Sequence, residues 1–350
     1  MDWELTMKCN LDCDYCPTGL HGGHDNSTQH PPVDQCLKSI DLMYQYADLY
    51  MASKPQGLKY VVLNVYGGES LHHPNIVEIL QQVRDRYQPY QDRWHLTVTM
   101  TTNAIATEKK LKQVIPLVDE FTVSYHTNNT DGQKQQFKHN LLTIQAAERR
   151  LKCVILMHAE PDLFADAQAQ IQWCEQHHIR YLPRQVDHVP RQPHPDYQSH
   201  EVQWFKNFYN KELESHGDGS ANLTEQGRTC CGGRQLCADQ RYRDRQVHVD
   251  NKFSDWYCSV EHFFLFVKQL TGAVYVNKDC KMNFEESVGP IGSVDHAEEL
   301  LAVARQRLAN PTAAVIQCKK ARCLCGICAP KAQDQDTYKV IMKKYQKVPQ

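Results

Sequence analysis

Near the start of the chain, Cys9-Asn10-Leu11-Asp12-Cys13-Asp14-Tyr15-Cys16 carries three thiols in the spacing C-x3-C-x2-C. The run follows a short strand-like stretch, Trp3-Glu4-Leu5-Thr6. Three thiolates on one tight loop can hold three irons of a four-iron, four-sulfur cluster, because thiolate is the ligand such clusters take and a cubane needs four ligands. One iron is then left without a protein ligand, and an open metal position marks a catalytic rather than a structural site. Zinc is the alternative reading, although zinc pairs ordinarily come as C-x2-C with a second pair nearby.

A second group of thiols lies in the last hundred residues. Cys258 precedes a hairpin-like pattern over 263–276, and Cys280 lies just beyond it. Cys318, Cys323, Cys325 and Cys328 follow in the spacing C-x4-C-x-C-x2-C. These six thiolates exceed the four that one cluster or one zinc ion needs, and iron-sulfur and zinc both remain open from spacing alone. Between the two groups, Cys230, Cys231 and Cys237 surround the pair Gly232-Gly233, as a metal loop or as a lid.

The elements that must position these thiols can be read from periodicity. Strand patterns fall at 3–6, 59–65, 95–101, 121–124, 153–157 and 179–182, alternating with helical patterns at 33–52, 74–87, 108–118, 134–150 and 162–177. Such alternation implies parallel pairing through right-handed crossovers, in an open sheet or a barrel. Reactive groups of these folds gather at the C-terminal ends of the strands. There the chain carries the cysteine triad, then Gly67-Gly68-Glu69, Asn103, Ser124 with His126, His158, and Arg184 with Asp187 and His188. Cys36 and Cys174 sit on helical patterns and read as packing residues. From about 183 to 245 the alternation stops in a polar bridge. One helix near 200–214 presents Val202, Trp204, Phe205, Phe208 and Tyr209, expected to pack on the sheet rather than stack bases. A helix follows at 297–308, and 338–345 reads as a basic, mostly exposed helix.

Composition fits an enzyme. At 350 residues the chain can bury one large core or two, and 39 basic against 41 acidic residues leave a net charge of −2, so nothing pulls it globally toward nucleic acid or an anionic membrane. No apolar run approaches a membrane span, and Met1 leads into Trp3 without a leader, so a cytoplasmic location is expected. In that setting 15 cysteines point to metal ligation rather than disulfides. His21, His24 and His30 are expected to be solvated loop residues.

The spacing and position of the first cysteine loop resemble the radical S-adenosylmethionine (radical SAM) superfamily. The resemblance implies an α/β fold: a partial (β/α)6 radical SAM barrel over 1–190, a bridging segment over 191–254, a small cysteine-rich α+β extension of the SPASM or twitch type over 255–332, and a tail over 333–350. It implies that Cys9, Cys13 and Cys16 hold a 4Fe-4S cluster whose fourth iron is chelated by the amine and carboxylate of S-adenosyl-L-methionine. Gly67-Gly68-Glu69 looks like the family's GGE motif. Two residues without side chains would let the methionine end of the cofactor approach the backbone, and Glu69 would accept from its ammonium. Asn103 and Ser124 stand where similar enzymes contact the methionine carboxylate or the ribose, and Tyr15 matches an aromatic found beside adenine. The family's usual arginine after the fourth strand is not evident over 126–138.

Cys258, Cys280, Cys318, Cys323, Cys325 and Cys328 would carry one or two auxiliary Fe-S clusters, with zinc as the alternative. The implied reaction is reductive cleavage of S-adenosylmethionine, after an electron from a donor such as flavodoxin or ferredoxin, to a 5′-deoxyadenosyl radical that takes a substrate hydrogen. Relatives with this extension commonly act on a peptide or protein side chain, so that substrate comes first and a nucleoside or small metabolite second. A metal-stabilised nucleic-acid-binding module is the non-enzyme reading, and it needs neither the strand-helix alternation nor the rim residues.

Overall fold

A computed structural model of the chain describes residues 1–13, 15–16, 30–53, 59–189, 192–193, 197–215, 255–258, 260, 264–276, 290–309, 316–317 and 331–345. Six strands alternating with five helices open it. Strand β1 (Asp2–Thr6) leads through the cysteine loop to α1 (Val33–Ala52), then β2 (Tyr60–Gly67), α2 (Ile76–Tyr87), β3 (His95–Thr102), α3 (Glu108–Val114), β4 (Glu120–His126), α4 (Asp131–Ala146), β5 (Arg150–Met157), α5 (Pro161–Gln176) and β6 (Tyr181–Gln185). The α/β fold expected from the alternation is the fold observed. All five neighbouring pairs from β1 to β6 are parallel. Among the described residues the sheet is open.

Local chemistry sets the element ends. Pro116 turns the end of the expected third helical segment into a single 3-10 turn, Ile115–Leu117, because proline cannot continue the helical ladder. Helix α4 starts three residues earlier than its apolar pattern, at a reciprocal capping box between Thr130 and Gln133. Along α1, Cys36, Ile40, Met43, Tyr44 and Ala47 recur at helical spacing and are buried.

Alternation along the strands divides the sheet into two faces. Trp3, Leu5, Val65, Val98, Met100, Val123, Tyr125 and Ile155 join the helical core. Glu4, Asn64, Thr99, Thr101 and Ser124 therefore point the other way. On that face Asn64 Nδ2 donates to Asp2 Oδ1 at 3.0 Å, and Asn64 Oδ1 accepts from the Thr99 and Thr101 hydroxyls at 3.2 and 3.4 Å.

Beyond β6, β7 (Asp187–Val189) and β8 (Gln192–Pro193) form a small antiparallel pair, followed by α6 (Ser199–Ser215). Helix α6 sets Trp204 and Phe205 against Phe164 of α5, with ring centroids 6.0 and 6.1 Å apart, and Phe208 against Tyr181. The C-terminal part does not stand apart from the sheet. After β9 (Tyr257–Cys258), β10 (Phe266–Lys268) pairs in parallel with the free side of β1, placing Asp2 opposite Phe266, and β11 (Ala273–Tyr275) and β12 (Gly292–Ser293) extend the edge antiparallel. Nine strands run in the order β12-β11-β10-β1-β2-β3-β4-β5-β6.

Helix α7 (Ala297–Ala309) follows, then β13 (Ile316–Gln317), β14 (Lys331–Ala332) and α8 (Gln335–Tyr345). Strand β9 lies between β13 and β14 in a separate three-stranded sheet. The tail helix departs from expectation at one position: Tyr338 is fully buried, its ring 6.1 Å from that of Tyr257. No described helix is long and apolar enough to cross a membrane.

Candidate active site

The C-terminal ends of β1 to β5 meet at one rim, and their loops are tied together by side chains. The chain leaves β1 through Met7 and Lys8 into the cysteine loop. Gly68 N donates to Thr6 O and Glu69 N to Lys8 O, both at 2.8 Å, so the end of β2 runs directly against that exit. Only glycine fits there: a Cβ on Gly67 would stand 2.1 Å from Thr6 O, and one on Gly68 2.4 Å from Lys8 O.

Glu69 is buried and its carboxylate is already engaged by the protein. Oε1 accepts from Leu71 N at 2.8 Å and from the Thr102 hydroxyl at 2.6 Å, while Oε2 accepts from Asn103 N at 2.6 Å. It locks the β2 exit to the β3 exit. Burial raises its pKa against the lowering effect of these donors and of Lys110. Asn103 carries the tie onward, with Nδ2 donating to Asn10 Oδ1 at 2.7 Å and Oδ1 accepting from Ile105 N at 2.9 Å. Asn10 in turn donates to Ile105 O at 2.8 Å. Asn10 was not among the expected site residues, and its place between two loop thiols was the available signal.

The triad itself lies on this framework. Cys9 and Cys16 are half-buried and Cys13 is buried. Cys9 Sγ accepts from Leu11 N at 3.4 Å, and Asn103 Nδ2 lies 4.0 Å from it. Burial pushes the Cys9 thiol up to about 12, with further raising from Glu69, Cys13 and Cys16, and burial pushes Cys16 up to about 11. A coordinated iron would reverse this and hold them as thiolates. Among the described residues no three histidine, cysteine or carboxylate groups stand close enough to share one ion. In a cubane each thiolate takes a different iron, and three thiolates from one loop are the donor set this triad offers.

Tyr15 and two histidines complete the rim. The Tyr15 hydroxyl lies 2.5 Å from His126 Nδ1 at the end of β4, and its ring meets that of His158, after β5, edge-on at 4.6 Å. His126 Nδ1 is also 3.5 Å from Cys13 Sγ. Burial, and then His158, lower the His126 pKa to about 4. Ser124 is half-buried one pleat below His126 on the same face. Arg184 is exposed on β6, and Asp187 and His188 fall on β7.

His30 is not a solvated loop residue. Its Nδ1 is 3.0 Å from the Thr6 hydroxyl, and its ring packs edge-on against His72 and His73 at 5.4 and 4.8 Å. Cys36 and Cys174 are buried in the helical core, as their spacing implied. His21, His24, Cys230, Cys231, Cys237, Cys280, Cys318, Cys323, Cys325 and Cys328 lie outside the described residues. Cys258, buried on β9, has Ile316 opposite it on one side and Lys331 on the other.

An open, mostly parallel sheet with a thiol-bearing loop and a glycine-glycine-glutamate exit at its C-terminal rim defines a class of α/β enzyme. Residues 3–162, a little under half of the chain, match the family model of the radical SAM superfamily. The solved structure "Native anSMEcpe with bound AdoMet" is similar in fold, with a TM-score of 0.52 at 11% identity, covering 88% of this chain and 81% of that one. "Native anSMEcpe with bound AdoMet and Cp18Cys peptide" gives the same TM-score, identity and coverage. No curated protein matches the chain.

Proposed function

We propose that Cys9, Cys13 and Cys16 hold a 4Fe-4S cluster that binds S-adenosylmethionine through its open iron, and that the enzyme acts on a peptide or protein side chain. The observation that carries this is the interlocked rim: Glu69 joins the β2 and β3 exits, Asn103 joins β3 to Asn10, and His126 reaches Cys13. That frame is made of strand-end residues and holds the thiol loop at the C-terminal rim. When bound, the cluster supplies the electron that cleaves the cofactor to methionine and a 5′-deoxyadenosyl radical.

The chain's own part is placement. Gly67 and Gly68 keep backbone, not side chains, beside the loop. Glu69 and Asn103 spend most of their polar atoms on the protein, so their contribution to cofactor binding runs through loop position more than through direct contact. Ser124 shares the face of Thr99 and Thr101, where a substrate or the nucleoside end of the cofactor would lie. A small electron-transfer protein such as flavodoxin or ferredoxin would deliver the electron. A peptide substrate is supported by the fold shared with a protein solved with a bound Cp18Cys peptide. A nucleoside or small metabolite is the second reading.

For the C-terminal unit we propose an auxiliary iron-sulfur cluster of SPASM or twitch type. Strands β13 and β14 end and begin close to Cys318 and Cys328 in sequence and both register on Cys258, which supports one shared centre.

The test is anaerobic reconstitution with iron and sulfide, followed by reductant and S-adenosylmethionine. The parent protein should form 5′-deoxyadenosine and the Cys9, Cys13, Cys16 triple alanine variant should not. Stimulation of that turnover by short peptides encoded beside the gene supports the peptide reading. Equal deoxyadenosine from parent and variant overturns the cluster assignment.

A further inference from the structure

One polar contact to Cys13 comes from another strand. His126 Nδ1 lies 2.5 Å from the Tyr15 oxygen and 3.5 Å from Cys13 Sγ. The Tyr15 hydroxyl donates to Asn128 Oδ1 at 3.4 Å. A phenol has one proton to give. A Tyr15 that gives this proton to Asn128 meets Nδ1 as an acceptor, the arrangement in which Nδ1 carries the ring hydrogen. The same N–H then faces two acceptors, the phenol oxygen and the Cys13 sulfur. A thiolate on iron is the more negative of the two and draws the shared hydrogen toward itself.

We propose that His126 donates its Nδ1–H to the Cys13 sulfur and thereby sets the reduction potential of the cluster, with Tyr15 as the competing acceptor that moderates the bond. This rests on the reading that Cys9, Cys13 and Cys16 hold a cluster. Hydrogen bonds to ligating sulfur are one of the levers on cluster potential, because they stabilise the extra negative charge of the reduced state. At Cys9 the shorter contact is local, a backbone N–H from Leu11 at 3.4 Å, with Asn103 Nδ2 farther off at 4.0 Å. Only proline at position 11 would remove that bond, at the cost of reshaping the loop. The bond to Cys13 comes from a side chain 113 residues away, so it can be changed without altering the loop. His126 is thus a positioning and tuning residue rather than a ligand.

The experiment uses the full-length, anaerobically reconstituted protein and reads the midpoint potential by redox titration of the cluster signal at fixed pH. His126→Phe keeps the ring volume and removes the donor. It should retain full iron content while making reduction about tenfold less favourable, a shift of about 59 mV to more negative potential for a one-electron couple. His126→Asn, which offers an amide N–H near the position of Nδ1, should recover much of that shift. Tyr15→Phe removes the competing acceptor and should move the midpoint the opposite way. Full iron with an unmoved midpoint in His126→Phe, or a Tyr15→Phe shift of the same sign as His126→Phe, overturns the proposal while leaving the cluster assignment standing. A parent protein whose iron does not depend on the triad overturns the assignment beneath it.

Discussion

The two thiol-bearing regions are held by different means. The N-terminal loop is gripped by side chains from three strand exits, with Asn103 on Asn10, Glu69 on Thr102 and Asn103, and His126 on Cys13. Cys258 instead sits mid-sheet, positioned by backbone pairing to Ile316 and Lys331 and closed over by Tyr338 on Tyr257. Side-chain ties fix a loop in three dimensions and fail one residue at a time. A three-stranded sheet of two-residue strands is a cooperative unit with little pairing of its own and depends on what packs over it. The first arrangement suits a site where geometry decides chemistry, and the second suits a centre that staples its own surroundings.

The widest separation of the two regions comes from the triad. Changing Cys9, Cys13 and Cys16 to alanine should remove about four irons, the content of one cubane, and abolish deoxyadenosine formation. Clustered iron should persist in Mössbauer spectra, carried by the C-terminal thiols. Stoichiometric zinc in its place, in protein made with ample iron and kept from oxygen, would break the comparison by making the second region a structural zinc unit.

Tyr338→Ala should destabilise the three-stranded sheet by about 3–5 kcal/mol, the range for emptying a buried aromatic site. Proteolysis should then open residues 255–345 first and leave deoxyadenosine formation largely intact. Gly68→Ala tests the other region. A Cβ there cannot clear the Lys8 and Met7 carbonyls, so the loop must move at a cost of about 3 kcal/mol, and turnover should fall with little change in C-terminal protection.

The smallest expected effect belongs to Glu69→Gln. An amide nitrogen would face one of the donors that the carboxylate now accepts, costing about 2 kcal/mol for a buried group left without its bond. Iron content should hold. Burial sets the folded carboxyl above its ordinary 4.5, so its contribution to stability is fully present below that value and is lost as pH rises through the folded one. Glutamine cannot ionise, and denaturant titrations across that interval should lose this slope. An unchanged slope would show that Glu69 does not titrate differently on folding.

Much of the frame was legible in the chain itself. Strand and helix periods located β1 to β6, and the punctuation at their C-terminal ends brought the cysteine loop, Gly67, Gly68, Glu69, Asn103 and His126 to one rim. What stayed hidden was partnership. The sequence offers Glu69 and Asn103 as groups that could meet a cofactor, but only the fold brings Thr102 and Asn10 within 2.6 and 2.7 Å of them. Asn10 and Asn103 are 93 positions apart, and no local pattern encodes a hydrogen bond over that span. His30 read as solvated because it follows a polar loop, whereas the fold returns it to Thr6 and the His72–His73 turn. Tyr338 read as exposed because its neighbours are charged, and its burial depends on Tyr257, which lies in a distant strand.

The parallel pairing of β10 with β1 has a consequence for how the protein is made. Asp2 and Phe266 are partners, so the ribosome must add roughly 260 residues after the first strand before its second neighbour exists, a wait of about 13–50 s at ordinary elongation rates of about 5–20 residues per second. Throughout that interval the nascent chain presents an uncovered edge next to its thiol loop, the kind of template on which chains pair with one another. Fragments ending near residue 190 should therefore precipitate however complete their β/α units, and slowing synthesis should lower the soluble yield of the whole protein unless a holding chaperone covers that edge.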